Sequence, residues 1–204
     1  WVTDAKKKAD LFATTFADKS AELPAEPVRD ERVGPSSTMS GFLVLRRRAA
    51  RRILEKLDVK VATGPDKLSA RIFKECAKEL SIPLVLLARR LLSTGAWPEA
   101  WRFHWVIPLF KKGSKSDPGK YRGVHLTTVF SKAVERLLGS VLMPYLQKAG
   151  AYGSNQWAYQ TGRSGRDMLA LLTTTWLLAF EDYQKVGALL SDISGALDRV
   201  PTEI

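Results

Sequence analysis

A chain of 204 residues with 45% hydrophobic and 9% aromatic content has the make-up of a folded globular protein, which excludes a disordered tail or a low-complexity segment. Its formal net charge of +11 favours a polyanion such as nucleic acid as partner, although the same excess also serves solubility. A single cysteine, Cys76, excludes an intramolecular disulfide and a thiolate zinc centre, and His104 and His125 lack carboxylate or thiol neighbours at ligand spacing. The longest apolar runs, 82–88 and 168–180, fall short of the roughly 20 residues of a bilayer span. No charged-then-apolar signal opens the chain. The expectation is therefore a protein without membrane contact, working inside the cell in cytoplasm and nucleus. Trp1 at the start and a pattern cut at Ile204 make the chain read as an excerpt from something longer.

Residues 4–21 carry Leu11, Phe12 and Phe16 at helical spacing among charges and predict an amphipathic helix. Residues 22–41 gather prolines, glycines and serines and read as a linker. Residues 42–45 allow a short strand. The segment 46–57 then combines Arg46, Arg47, Arg48, Arg51 and Arg52 with Ala49, Ala50, Ile53, Leu54 and Leu57, a helix with one basic side. Such a side is either a solvated face or an RNA contact.

Gly64-Pro65-Asp66 predicts a sharp turn, and Ser69 an N-cap for a helix to residue 80 with Ile72, Phe73, Cys76 and Leu80 on its apolar stripe. A second helix is expected over 83–94, stopping at Gly95, with Trp97 and Trp101 packing under a loop. Residues 105–110 predict a buried strand, 111–120 a glycine- and lysine-rich loop, and 124–127 a returning strand. Helices are expected over 130–147 and 167–180, and a buried strand over 186–190 running into Asp192. Helices alternating with short strands indicate an α/β or α+β fold, helix-rich, with no internal repeat.

Two places carry chemistry by residue type alone. Lys111, Lys112 and Lys115 surround Gly113 and Ser114, with Arg122 shortly after. Lysine offers a mobile point charge and arginine a planar fork for two oxygens, so such a loop closes over phosphates, unless it is only a solvated hairpin tip. Asp192 follows an apolar run, where a carboxylate is placed either to hold Mg²⁺ beside substrate phosphates or to cap the turn at Ser194-Gly195.

The segment Ser191-Asp192-Ile193-Ser194-Gly195-Ala196-Leu197-Asp198-Arg199-Val200-Pro201 resembles the first palm motif of LINE-type (non-LTR) retrotransposon reverse transcriptases. Segments upstream resemble the same family in the same order. They are Ala62-Thr63-Gly64-Pro65-Asp66, Lys74-Glu75-Cys76-Ala77, Trp97-Pro98-Glu99-Ala100-Trp101 and the run 106–113. Asp117-Pro118-Gly119-Lys120-Tyr121-Arg122, the run 126–132, Glu135-Arg136, Gln156 and Gly162-Arg163-Ser164 follow. Lys8-Ala9-Asp10-Leu11-Phe12 is similar to the segment between that family's endonuclease and polymerase.

The resemblance implies right-hand polymerase fingers with a truncated palm. Residues 1–21 would be a connector helix, 22–41 a linker, 42–183 the fingers region and 184–204 the start of the palm. It also implies an RNA-directed DNA polymerase as parent, with RNA template, DNA primer, deoxynucleoside triphosphates and the rest of a retrotransposon polyprotein as partners. Asp192 matches the first of three palm aspartates that hold two Mg²⁺ ions in that family, with the backbone carbonyl of Ile193 as a further ligand. Lys111, Lys112 and Arg122 match residues expected on the incoming triphosphate, and Ser194, Gly195 and Leu197 its floor. Arg46, Arg47, Arg48, Arg163 and Arg166 are the expected nucleic-acid contacts. The later paired aspartates are not in the chain, so the fragment alone is expected to be inactive. Three departures stand out: Gly123-Val124-His125 in place of Pro-Ile-Ser, expected to loosen a turn aiming Arg122; Trp157-Ala158-Tyr159-Gln160 where Gly-Phe-Arg is usual; and Leu197 in place of phenylalanine. The alternatives are a non-catalytic RNA-binding module of fingers type and a decayed copy of an element.

Overall fold

The computed structural model describes residues 2–21, 44–153 and 155–192. The expected linker 22–41 lies outside them, as do Phe42 and Leu43; Val44 and Leu45, at the end of the possible first strand, form none. Among the described residues the chain divides into two compact units, the first running to Val141 and the second starting at Leu142.

The first unit is built on helices. α1 spans Ala5–Ala21. α2 spans Arg47–Glu55, its arginines outward and Ala50 and Leu54 fully buried one turn apart. α3, Ala70–Glu75, starts where Ser69 accepts a hydrogen bond from the Arg71 N–H at 3.2 Å. Its buried face is Ala70 and Phe73, while Ile72 and Cys76 are exposed, so the expected stripe is corrected. The cause is a break at Cys76, non-helical at φ −93° and ψ 24°, which resets the phase before α4 begins at Ala77.

α4 runs Ala77–Thr94, longer than the expected 83–94. Pro83 therefore lies inside the helix instead of opening it. The ring leaves the Glu79 carbonyl without its i+4 donor, on a face where Pro83 is exposed and solvent can serve. The helix ends as expected at Gly95, whose φ of +64° is a left-handed cap and whose N–H reaches the Leu91 carbonyl at 2.9 Å. α5, Glu99–Arg102, carries Trp101 against Trp97 and Phe130, edge to face, over the core.

The core thus lies among α2, α3, α4 and the start of α6, Val129–Lys148, where Val129, Ala133, Val134 and Leu137 are buried. The entry into α6 is fixed locally. The buried Thr128 hydroxyl accepts from the Ser131 N–H at 3.2 Å, and the Ser131 hydroxyl donates to the Thr128 carbonyl at 3.0 Å. Gly64 packs against this entry. A Cβ there would stand 2.6 Å from the Thr127 carbonyl oxygen and 2.8 Å from the Thr128 nitrogen, so the turn Gly64-Pro65-Asp66 requires glycine for close approach.

β1 (Trp105–Phe110) and β2 (Tyr121–Leu126) form a two-stranded antiparallel sheet pairing Val106 with His125, Pro108 with Gly123, Leu109 with Arg122 and Phe110 with Tyr121. The strand expected over 105–110 is present but not buried: Trp105, Ile107 and Leu109 are 45–59% exposed. The hairpin stands outside the helical core, and in a sheet of two strands each has an open edge, which is where Pro108 is tolerated.

The second unit contains the end of α6 and helix α7, Gly165–Glu181. α7 opens on a reciprocal cap between Ser164 and Asp167, yet none of its residues is buried. The buried strand expected over 186–190 is corrected. Residues 184–192 hold no strand, and Leu189 and Leu190 are 95% and 93% exposed. The segment pairs with neither β1 nor β2, and without a neighbour its amides have no ladder partners to hold it extended. No helix among the described residues is long and apolar enough to cross a membrane.

Candidate nucleic-acid interface

The turn between β1 and β2 holds itself in shape. The Lys111 N–H closes it by donating to the Lys120 carbonyl at 3.0 Å. Gly113 sits at φ +97°, a conformation L side chains avoid. Asp117 caps the short 3-10 turn Pro118–Lys120 by accepting from the Gly119 N–H at 2.8 Å. The Tyr121 hydroxyl donates to the Lys115 carbonyl at 2.9 Å and ties the loop tip back to the strand.

These bonds use backbone groups, the Asp117 carboxylate and the Tyr121 hydroxyl, and leave the cations outward. Lys111, Lys112 and Arg122 are exposed, and among the described residues none of the three meets a carboxylate at ion-pair distance. Lys120 lies 3.9 Å from Asp117, a surface contact worth little. Arg122 is aimed by strand pairing: it stands opposite Leu109 on the face with Trp105, Ile107 and Val124. This corrects the expected effect of Gly123-Val124-His125, because those residues lie within β2 and no turn is there to loosen. Gly123 instead makes room, since a Cβ there would come within 2.9 Å of a Val106 methyl.

The opposite face of the hairpin receives α1. The Phe12 ring meets Tyr121 edge to face at 4.8 Å between centroids, and Tyr121 meets Phe110 in the same manner at 5.4 Å. Lys19 donates to the Tyr121 carbonyl at 3.5 Å. Sequence reasoning missed Phe12, Lys19 and Tyr121 as parts of this site. The available signal was the Phe12–Phe16 pair, one helical turn apart and the main apolar side chains on α1.

The arginines of α2 do not share one role. Arg46, Arg47 and Arg48 are all exposed. Arg47 is tied to α4, its Nε donating to the buried Ser81 hydroxyl at 3.0 Å and its Nη2 to the Lys78 carbonyl at 3.3 Å. In the second unit Arg163 donates to the Gln156 carbonyl at 2.7 Å and lies over the Trp157 ring at 5.1 Å, whereas Arg166 is exposed in the first turn of α7. Asp192 is exposed in the irregular segment. Ile193, Ser194, Gly195 and Leu197 lie outside the described residues. No group of three metal-ligating side chains comes together among the described residues, and one exposed carboxylate is too few for a two-ion Mg²⁺ site.

No family model matches the chain. Its curated homologues are RNA-directed DNA polymerases of Drosophila non-LTR retrotransposons. The polymerase from mobile element jockey of Drosophila funebris is 23% identical over 207 residues, covering 98% of this chain, and its Drosophila melanogaster counterpart is 24% identical over 208. A probable RNA-directed DNA polymerase from transposon BS of Drosophila melanogaster is 25% identical over 148 residues, 72% of this chain. The chain spans only 16% of the BS protein's length and 23% of the jockey proteins'.

Proposed function

We propose that the chain is a fingers segment of a non-LTR retrotransposon reverse transcriptase, and that its β1–β2 loop holds the triphosphate of the incoming deoxynucleotide. The observation that carries this reading is a self-ordered loop with three uncompensated cations, Lys111, Lys112 and Arg122, in a chain that aligns almost end to end with jockey polymerases. Lys111 and Lys112 supply charge to the outer phosphates, and Arg122, on a paired strand, offers two parallel N–H groups to one phosphate. Arg46, Arg48 and Arg166 supply phosphate contacts to the RNA template and DNA primer, while Arg47 serves packing. On this reading the parent works inside the cell beside the rest of its polyprotein.

Mg²⁺ belongs to the same proposal only for the longer parent, with Asp192 and the Ile193 carbonyl among its ligands. The described residues do not assemble a metal site, and no catalytic step is assigned to them. In the parent enzyme Lys111→Ala and Arg122→Ala should raise the KM for nucleotide about 10-fold or more, since each removes a charge-assisted contact to the bound triphosphate. Unchanged KM and kcat in both variants would refute the loop's assignment. A second reading is a non-catalytic RNA-binding module, consistent with the exposure of Asp192 and of Arg46, Arg48 and Arg166. The downstream reading frame decides between them, by encoding or lacking a strand–turn–strand with adjacent aspartates.

A further inference from the structure

We infer that α1 is a positioning element for the phosphate-binding loop, acting through Tyr121; the inference rests on the loop reading above. Tyr121 is the junction of the hairpin, and each part of it is spoken for. Its hydroxyl holds the loop tip at Lys115, its ring lies between Phe12 and Phe110, and its carbonyl accepts from Lys19. Arg122 is the next residue, so whatever fixes the Tyr121 backbone fixes the point from which the arginine projects. Lys115 adds a second tie, its ammonium 5.9 Å above the Phe110 ring.

The contact between α1 and the hairpin is narrow. Towards His104 and Val106 the two draw apart around an open cleft of about 840 Å³. The hold therefore lies at Phe12, with Phe16 near Gly123, Lys19 at the carbonyl, and the helix also running beside the turn Pro118–Lys120 of the loop. No residue of α1 contributes to the helical core. A helix that adds nothing to the core and meets the hairpin, at the aromatic beside Arg122 and at the loop's own turn, has its effect on the loop, not on the fold. Two-stranded hairpins are marginal alone, and an aromatic anchor on one face is what sets the geometry of the other.

The test uses the 204-residue chain and inorganic tripolyphosphate at low salt, with affinity read by calorimetry. Arg122→Ala and Lys111→Ala should weaken binding. Phe12→Ala should weaken it by about 3- to 10-fold, the scale of one lost aromatic contact, with helicity and melting midpoint retained. Phe12→Tyr, which keeps the ring, should stay within about 2-fold of the parent chain on the same grounds. The decisive readout is coupling: if Phe12 acts through the loop, Phe12→Ala should cost much less affinity once Arg122 is alanine. Should Phe12→Ala disturb the fold, Phe12→Leu carries the decision: it keeps an apolar side chain at the position and removes the ring contact to Tyr121, and full affinity there overturns the positioning role. Weakened binding in Arg122→Ala with full affinity in Phe12→Ala, or additive losses in the double variant, overturns the positioning role alone. Full affinity in Arg122→Ala and Lys111→Ala overturns the loop reading, and the inference with it.

Discussion

Gly64→Ala should destabilise the first unit although it adds a single methyl group. The new Cβ would lie 2.6 Å from the Thr127 carbonyl oxygen, 2.7 Å from its carbon and 2.8 Å from the Thr128 nitrogen. All three atoms are backbone, and the Thr128–Ser131 bonds pin them at the entry to α6. Relief needs a shift of several tenths of an ångström in a buried turn, an overpacking cost of about 1–3 kcal/mol. Gly64 has no positive φ, so alanine can adopt its conformation and regains about 0.5–1 kcal/mol by restricting the unfolded chain. The net loss is about 1 kcal/mol, within bounds of about 0 to 2.5, or a fall in melting midpoint of roughly 2–4 °C for a chain of this size. Gly139, inside α6 with no atom within 4 Å of its would-be Cβ, is the control. Alanine there should raise the midpoint by the helix-propensity gain of up to about 1 kcal/mol. Thermal melts followed by circular dichroism compare the two. A Gly64→Ala midpoint at or above that of the parent chain would refute the close-approach argument.

RNA affinity, read as log Kd against log salt, should lose slope when Arg46 and Arg48 become alanine, by about 1.4 for two phosphate contacts on a single strand. Arg47→Ala should leave the slope in place and instead lower stability by about 1 kcal/mol, the worth of its bonds to Ser81 and Lys78. The reverse pattern would exchange the two roles. If the proposed function holds, residue 197 would stand beneath the nucleotide sugar, where leucine would leave space that an aromatic ring would fill. Leu197→Phe in the parent polymerase should then raise the preference for deoxy- over ribonucleotides by roughly 5- to 150-fold in kcat/KM, from about 1–3 kcal/mol of clash. Equal selectivity in both proteins would remove Leu197 from that role.

The helices were legible because their signals are local. Ser69 and Gly95 mark ends by capping chemistry, and the i, i+4 spacing of Ala50 and Leu54 marks the buried side of α2. What failed was burial inferred from apolarity. The run 105–110 is as apolar as a buried strand, but Pro108 lacks the N–H a central strand needs and was the visible sign of an open edge. Residues 186–190 failed for a related reason: an apolar run specifies a strand only when another strand is there to pair with it. The loop cations were legible as a lysine-rich stretch between strand-like segments. Their support was not, because Lys19 and Tyr121 are 102 positions apart and no periodicity spans that distance.

Three consecutive arginines show where the boundary between local and non-local information falls. By residue type Arg46, Arg47 and Arg48 are equal, and a count of positive charge treats them alike. Helical phase does not: Arg47 is three residues before Ala50 and seven before Leu54, hence on the stripe that enters the core. A guanidinium at the rim of a buried stripe finds acceptors on the neighbouring helix, here the Ser81 hydroxyl and the Lys78 carbonyl of α4. Arg46 is four residues before Ala50, but its extended backbone at the N-cap, φ −95° and ψ 132°, takes it off the helical phase, and Arg48 lies off that stripe. The phase was written in the sequence and separates Arg48 from Arg47, but setting Arg46 apart required the helix start, which lies one residue later than expected. The identity of the Arg47 acceptors required α4 to be in place, 34 residues further on at Ser81.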